Sequence, residues 1–198
     1  GRIAVVGTDA LNQVRLEPVL NGIFVSTRLA LVDPVNGSSS IKDLNPHLDY
    51  RRPSISRLLR KQSLGDPRGV LWNSAGNRIF VTGLGSNNLL ILDGEGNRVG
   101  DPIALPAGPT GLALDERRHR LYVLNRFAAS ISVVDTEARE IAATIKLFDP
   151  TPDETRRRTG RLRHCANRSR PSAPVELLAD ELEVHAARGC TAGRGRPE

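Results

Sequence analysis

The sequence predicts an all-β fold of four-stranded sheets, one sheet for each copy of a repeat. Three observations carry this prediction: the chain matches itself at a shift of about 42 residues, each copy contains four short apolar runs, and Gly, Asn, Asp and Pro separate those runs. Short apolar runs bounded by turn residues are typical of β-strands. A period of this length, with four strands in each period, is typical of β-propellers, whose sheets are called blades.

The repeat is visible when residues 66–107 are placed on residues 108–149. Identical residues then coincide at four structurally informative positions, namely Pro67 with Pro109, Gly69 with Gly111, Arg78 with Arg120, and Asp93 with Asp135. We therefore expect residues 1–150 to form a partial β-propeller of about three blades, with blade-like units over about 1–62, 66–107 and 108–149.

The four strands of the two clear units follow in the same order. They are predicted at 69–72, 78–82, 89–92 and 102–105 in one unit, and at 111–114, 120–124, 131–134 and 144–147 in the next. The links between them are rich in Asn and Gly, which tolerate positive φ. The inner runs are apolar at consecutive positions, which indicates sheets covered on both faces.

A distorted copy precedes these two units. Its second, third and fourth strands are predicted at 2–6, 29–33 and 41–44, and we expect its first strand to precede residue 1. A closed propeller has about four or more blades. Three copies, of which the first is incomplete, are therefore expected to expose a sheet face at each end.

Two insertions distinguish the first copy from the others. Between the second and third strands, 31 positions separate Arg2 from Asp33, whereas 15 separate Arg78 from Asp93. A second excess lies between Leu44 and Asp66. In an antiparallel blade, the strand 2–3 loop and the link to the next blade emerge on the same rim. Because loops carry function more often than scaffolds do, we predict a binding surface on this rim.

The candidate ligand- or partner-binding residues are polar side chains of that rim. They are Asn45, His47, Asp49, Tyr50 and Arg51 in the second insertion, Asn12 and Arg15 in the first, and Asn87, Asn125 and Arg126 in the strand 2–3 loops of the later units. The alternative is that these short side chains bond their own loops or serve turn geometry. His47 and Asp49 lack a third ligand, so we predict no metal site.

Parts of these units resemble a known bacterial family. The sequences Phe80-Val81-Thr82-Gly83 and Tyr122-Val123-Leu124-Asn125 are similar to the Tyr-Val-Thr-Asn repeats of YVTN-type propellers, although Gly83 replaces the motif's Asn and Leu124 its Thr. Residues 63–69 and 148–152 resemble a subset in which the propeller leads into a c-type cytochrome domain. That resemblance implies a haem-binding domain in a longer parent protein and an extracytoplasmic, periplasmic location.

The last part of the chain, residues 151–198, differs from the repeats. It is rich in Arg, has no Phe, Tyr or Trp, and contains both cysteines, Cys165 and Cys190. Such a composition predicts disorder, and it is also what out-of-frame translation of a GC-rich gene would produce. No Cys-x-x-Cys-His motif is present, so we predict no cofactor in this chain and restrict c-type haem to the parent.

Charge and motifs narrow the function classes. The formal charge is +6, but residues 1–150 hold 18 basic and 15 acidic groups, so the body is nearly balanced and nucleic acid is not a predicted partner. No apolar run has membrane-spanning length, and no hydrolase or phosphate-binding motif is found. We predict a non-catalytic binding scaffold for a protein or small-molecule ligand. The alternatives are the propeller part of a c-type haem redox protein and a lactonase-like hydrolase.

Overall fold

The structure, a computed structural model, describes residues 1–11, 25–52 and 55–150. In this part of the chain the strands form three antiparallel sheets, each with sequential strands as neighbours. Blade 1 contains β1 (Ile3–Ala10), β2 (Val25–Val32) and β3 (Ser39–Asp43). Blade 2 contains β4 (Pro67–Trp72), β5 (Arg78–Gly83), β6 (Asn88–Asp93) and β7 (Ile103–Ala104). Blade 3 contains β8 (Pro109–Asp115), β9 (Arg120–Asn125), β10 (Ser130–Asp135) and β11 (Glu140–Lys146).

These sheets confirm the prediction of an all-β, partial β-propeller with an incomplete first blade. Over the ranges that the structure describes, the helical residues are a short α1 (Arg57–Lys61) and a 3-10 turn over Glu116–Arg118. The fourth strands differ most from expectation, because β7 has only two residues whereas β11 begins four residues before its predicted start. A bulge at Val133/Val134 keeps β11 paired with β10 over this added length.

The aspartates that end the third strands build the following turns. The Asp93 Oδ1 accepts hydrogen bonds from the backbone N–H groups of Glu95 at 2.9 Å and Asn97 at 2.8 Å. The equivalent Asp135 Oδ1 accepts from Glu137 and Ala138, each at 2.9 Å. The side chain of an Asp thus replaces a backbone acceptor in the same turn of both units.

The middle blade is buried on both faces. Its side chains Ile79, Val81, Leu90 and Leu92 pack with Leu29 and Leu31 of blade 1. The alternate positions Phe80, Leu89 and Ile91 pack with Leu121 and Val123 of blade 3. Because successive residues of a strand point to opposite faces, consecutive apolar residues are what a sheet between two neighbours requires.

The inner strands β4 and β8 approach each other closely beside Gly69. A Cβ on Gly69 would lie 2.2 Å from the backbone oxygen of Thr110. The buried Thr82 hydroxyl accepts a hydrogen bond from the Gly69 N–H at 2.8 Å and donates to the Thr110 oxygen at 3.0 Å. One threonine therefore links two strands of its own blade to the next blade.

Candidate functional site

The strand 2–3 loops and the links between blades lie against each other on one rim. In blade 2, the Leu84 N–H donates to the Asp66 oxygen at 2.9 Å and the Gly85 N–H donates to the Gly65 oxygen at 3.0 Å. In blade 3, the Phe127 N–H donates to the Ala107 oxygen at 3.2 Å. The structure thus brings together the two kinds of connection in which the sequence predicted a binding surface.

The first insertion lengthens a hairpin of blade 1. The pairing of β1 with β2 continues through Asp9 with Ser26 to Ala10 with Val25, whereas the equivalent pairing in blade 2 ends at Gly83 with Asn88. The predicted site residues Asn12 and Arg15 lie outside the described residues.

The second insertion, residues 44–66, is here called the rim segment. Its two ends are held together by Asn45, which is 4% exposed. The Asn45 Oδ1 accepts a hydrogen bond from the Leu64 N–H at 2.7 Å, and its Nδ2 donates to the Leu64 oxygen at 2.9 Å. The Asn45 side-chain amide bonds the N–H and the C=O of the same residue, as a paired residue does in an antiparallel sheet. These two hydrogen bonds close the base of the segment.

An arginine from blade 2 completes this closure. Arg98 donates through Nε to the Leu44 oxygen at 2.7 Å, through Nη1 to the Gln62 oxygen at 2.6 Å, and through Nη2 to the Asn45 Oδ1 at 2.8 Å. Burial lowers the pKa of Arg98, but a guanidinium remains charged at neutral pH. The planar guanidinium therefore joins both ends of the rim segment to blade 2.

His47 is held inside the rim segment by acceptors. Its Nε2 lies 3.0 Å from the Ser63 Oγ and 3.2 Å from the Leu59 oxygen. The Ser63 hydroxyl itself donates to the Leu59 oxygen at 2.8 Å. Nε2 is thus placed to donate, which is the opposite of what a base that activates a serine requires. Burial lowers the pKa of His47, so the ring is neutral at pH 7.

Tyr50 and Asp49 also bond within the segment. The Tyr50 hydroxyl donates to the Asp43 carboxylate at 2.9 Å, and burial together with this bond raises the pKa of Tyr50 well above its usual value. The Asp49 carboxylate accepts from the Arg51 N–H at 3.1 Å and from the Arg52 Nε at 3.3 Å. Both side chains therefore define the shape of the loop.

The outer surface of the rim is cationic. Exposed basic side chains extend along the segment and into the start of β4; they are Arg51, Arg52, Arg57, Arg60, Lys61 and Arg68. The acidic residues among them, Asp49 and Asp66, form ion pairs with Arg52 and Arg68. The segment thus turns polar groups inward for its own structure and presents positive charge outward.

The predicted site residues of the later blades also divide into side chains that bond within the protein and side chains that are exposed. Asn87 adopts positive φ and accepts a hydrogen bond from the Gly108 N–H at 2.9 Å. Asn125 is fully buried, its Nδ2 donates to Ser132 Oγ at 2.8 Å, and its Oδ1 has no partner. Arg126 is exposed. Of these three residues, Arg126 is the exposed one, so a partner at the surface can reach it.

The rim segment lies where its place between β3 and β4 puts it, but the sequence alone does not mark Arg98, Asp43 or Ser63 as its partners. Arg98 lies 53 positions beyond Asn45, in a turn that the sequence presents as ordinary, and its repeat equivalent is Glu140. No signal in a single sequence links such a position to a distant loop. Among the described residues, no three His, Cys, Asp or Glu side chains are grouped as a metal site would need.

No protein-family model and no curated protein matches the chain. Within the described residues, none of the helices has the length and apolar character of a membrane span.

Three solved β-propeller structures illustrate what the chain is similar to. Hydrazine synthase of Kuenenia stuttgartiensis is 24% identical, with a TM-score of 0.41 over 43% of this chain and 24% of that one. Virginiamycin B lyase from Staphylococcus aureus is 17% identical, with a TM-score of 0.43 over 68% and 41%. The periplasmic gluconolactonase of Pseudomonas aeruginosa is 14% identical, with a TM-score of 0.44 over 65% and 38%. The chain spans less than half of each.

Proposed function

We propose that this chain is a binding scaffold whose rim segment presents a preformed cationic surface to an anionic protein partner. The observation that carries the proposal is the division of the segment into an inner, hydrogen-bonded side and an outer, basic side. Asn45, His47 and Tyr50 are used internally. A surface that is already ordered loses little conformational entropy when a partner binds.

The charge of this surface selects the chemical class of the partner. The surface carries six exposed basic residues and two acidic residues. Each of the two acidic residues already forms an ion pair with one of the basic residues. Arg57 and Lys61 lie four residues apart on α1 and therefore on one face of it. Complementary charge raises association rates and excludes partners of the wrong sign, so we assign an acidic segment of a protein to this surface.

Nucleic acid is a poorer fit for the same surface. Binding of single strands combines basic groups with aromatic rings on which bases stack. The aromatic side chain of the segment is Tyr50, whose hydroxyl is bonded to Asp43. The basic residues that we assign to partner contact are Arg51, Arg57 and Lys61, together with Arg126 of blade 3.

The resemblance to YVTN-type repeats supports an extracytoplasmic place for this scaffold. Its motif residues, such as Tyr122 and Val123, lie in β9 of blade 3. We propose that the partner is met in the periplasm. Fractionation of cells that produce the parent protein tests this placement, and recovery of the protein from the cytoplasm alone would contradict it.

The binding proposal is tested with a fluorescent polyglutamate peptide as probe. The full chain is titrated by anisotropy at low salt, together with the variant Arg57→Glu/Lys61→Glu. The control, Arg78→Glu/Arg117→Glu, makes the same change of net charge at exposed positions on the opposite rim. We expect the rim-segment variant to weaken binding at least tenfold and the control to change it less than threefold. Equal losses would show that only net charge matters and would refute the assignment.

A further inference from the structure

We propose that the acidic segment bound by the rim segment carries a large apolar side chain, which packs on Leu58 of α1 beside the basic residues. The inference rests on the binding proposal, because it adds a second requirement to the partner of the same surface. The partner is thus a protein segment in which an apolar residue lies between carboxylates. The observation behind this inference is Leu58 itself, which is 68% exposed.

The other leucines of the rim segment turn toward the protein. Leu44 and Leu64, at its two ends, are buried in the core between blades 1 and 2. Leu48 and Leu59 are half-buried. Within the part of the segment that the structure describes, Leu58 is therefore the large apolar side chain that the segment presents to solvent.

The contacts of α1 hold Leu58 in this outward direction. Ser56 caps the helix by accepting a hydrogen bond from the Leu59 N–H at 3.3 Å. The Leu59 oxygen accepts from the Ser63 hydroxyl at 2.8 Å and lies 3.2 Å from the His47 Nε2. Because α1 is anchored at both its cap and its Leu59 carbonyl, Leu58 is presented by an ordered helix, and a partner that binds it loses little entropy in ordering the surface.

Leu58 shares one side of α1 with two of the exposed basic residues, Arg57 and Lys61. At about 100° per residue, Lys61 lies about 40° around the helix from Arg57 and about 60° from Leu58. The three side chains therefore form one stripe, and the aliphatic parts of the two basic residues extend its apolar area. A single exposed leucine is common, but a leucine inside a basic stripe combines an apolar contact with charge complementarity at one place.

The packing of the blades does not account for Leu58. Residues 105–108, which join β7 of blade 2 to β8 of blade 3, make the equivalent link without a helix. The junction beneath α1, between blades 1 and 2, is filled by other side chains, among them Leu29, Leu31 and Leu92. Both of these blades belong to the chain, so α1 and its exposed leucine are an addition on top of a junction that is already complete.

An anionic membrane surface is a poorer fit than a protein segment. Helices that lie on membranes have a long apolar face opposite a charged one. The helix α1 has five residues, and Leu58 is the exposed apolar residue among them. One leucine between basic residues matches a short acidic segment with one apolar side chain better than it matches a lipid surface.

Two fluorescent peptides of equal charge test this proposal, namely Glu-Glu-Glu-Leu-Glu-Glu-Glu and the same peptide with Ser in place of Leu. Each is titrated with the full chain by anisotropy at low salt. We expect the leucine peptide to bind about fivefold more tightly, because it buries apolar surface on both partners. Leu58→Gln retains a good helix former and should remove this preference. The control Val35→Gln, at an 87% exposed position in the turn between β2 and β3, should keep it.

The outcomes separate this inference from the binding proposal on which it rests. If Arg57→Glu/Lys61→Glu weakens binding of the serine peptide but the leucine peptide binds no more tightly than the serine peptide, the basic surface stands and the role of Leu58 is refuted. If neither peptide binds, both proposals are wrong. Binding to phosphatidylserine vesicles that depends on Leu58, without a preference between the peptides, would assign the surface to lipid and would also overturn both.

Discussion

Arg98 is the residue whose removal tests the architecture of the rim segment most sharply. Its guanidinium donates three hydrogen bonds, to the backbone oxygens of Leu44 and Gln62 and to the amide oxygen of Asn45. Arg98→Met keeps much of the aliphatic side chain and removes all three donors. The two ends of the segment then lose their shared partner in blade 2.

The expected cost follows from the geometry of this contact. Hydrogen bonds to a charged group contribute about 1.5–3 kcal/mol each. Two effects reduce their sum: the guanidinium no longer has to be desolvated, and water can reach carbonyl oxygens at this half-buried site. We therefore expect the free energy of opening the segment to fall by about 2–4 kcal/mol. Because 1.4 kcal/mol is a factor of ten, the open population should rise about 30-fold or more.

Limited trypsin digestion measures this opening directly, since cleavage sites at Arg51, Arg57 and Lys61 lie in the segment. Arg98→Met should raise the initial cleavage rate there by the factor given above, and Arg98→Lys should have a smaller effect because an ammonium cannot reach three acceptors in one plane. Arg78→Met, at an exposed position of the same blade, is the control. Cleavage of Arg98→Met at the control rate would refute the role given to this arginine.

Two further predictions concern single hydrogen-bonded groups. Thr82→Val keeps the shape of the side chain but removes the acceptor for the Gly69 N–H and the donor to the Thr110 oxygen. The free energy of unfolding in urea should therefore fall by about 1–3 kcal/mol. A decrease no larger than that of Thr110→Val would contradict the link between blades. His47 has a folded-state pKa below its ordinary 6.5, so the unfolded chain takes up the proton first, and the free energy of unfolding should decrease as the pH falls below about 6.5. His47→Asn should remove this dependence above the pH range in which carboxylates titrate, whereas an unchanged slope would assign it to other groups.

The repeat made most of the fold predictable from the sequence. Aligned pairs such as Asp93 with Asp135 mark the ends of third strands because the same carboxylate builds the same turn in both units. The bounds of the fourth strands were harder to predict from the sequence. β11 follows the bulge at Val133/Val134, which depends on pairing with β10 and leaves no mark in local composition.

The position of the rim segment was predictable from the sequence, whereas the directions of its side chains were not. An insertion between known strands must emerge on a definite rim, which fixed the position of residues 44–66. Whether Asn45 points inward or outward depends on Arg98, a residue of another blade that the loop's own sequence cannot indicate. The basic residues Arg57 and Lys61 on α1 were not predicted as binding residues for a related reason. They can be recognised as the outer surface only when the buried polar groups of the segment are known.

Adjacent repeats stack as propeller blades with their inner strands in contact, and substitutions at two equivalent glycines provide the sharpest test of this stacking. A Cβ at Gly69 would lie 2.2 Å from the Thr110 oxygen of the next blade, whereas the nearest atom to a Cβ at Gly111 is 3.6 Å away on Leu124. Urea unfolding of Gly69→Ala should show a loss of about 1–3 kcal/mol, as for other substitutions that overpack a core. Gly111→Ala should be neutral or slightly stabilising, because Ala costs less backbone entropy than Gly in a strand. Equal free energies of unfolding for the two variants would contradict the stacking of β4 against β8.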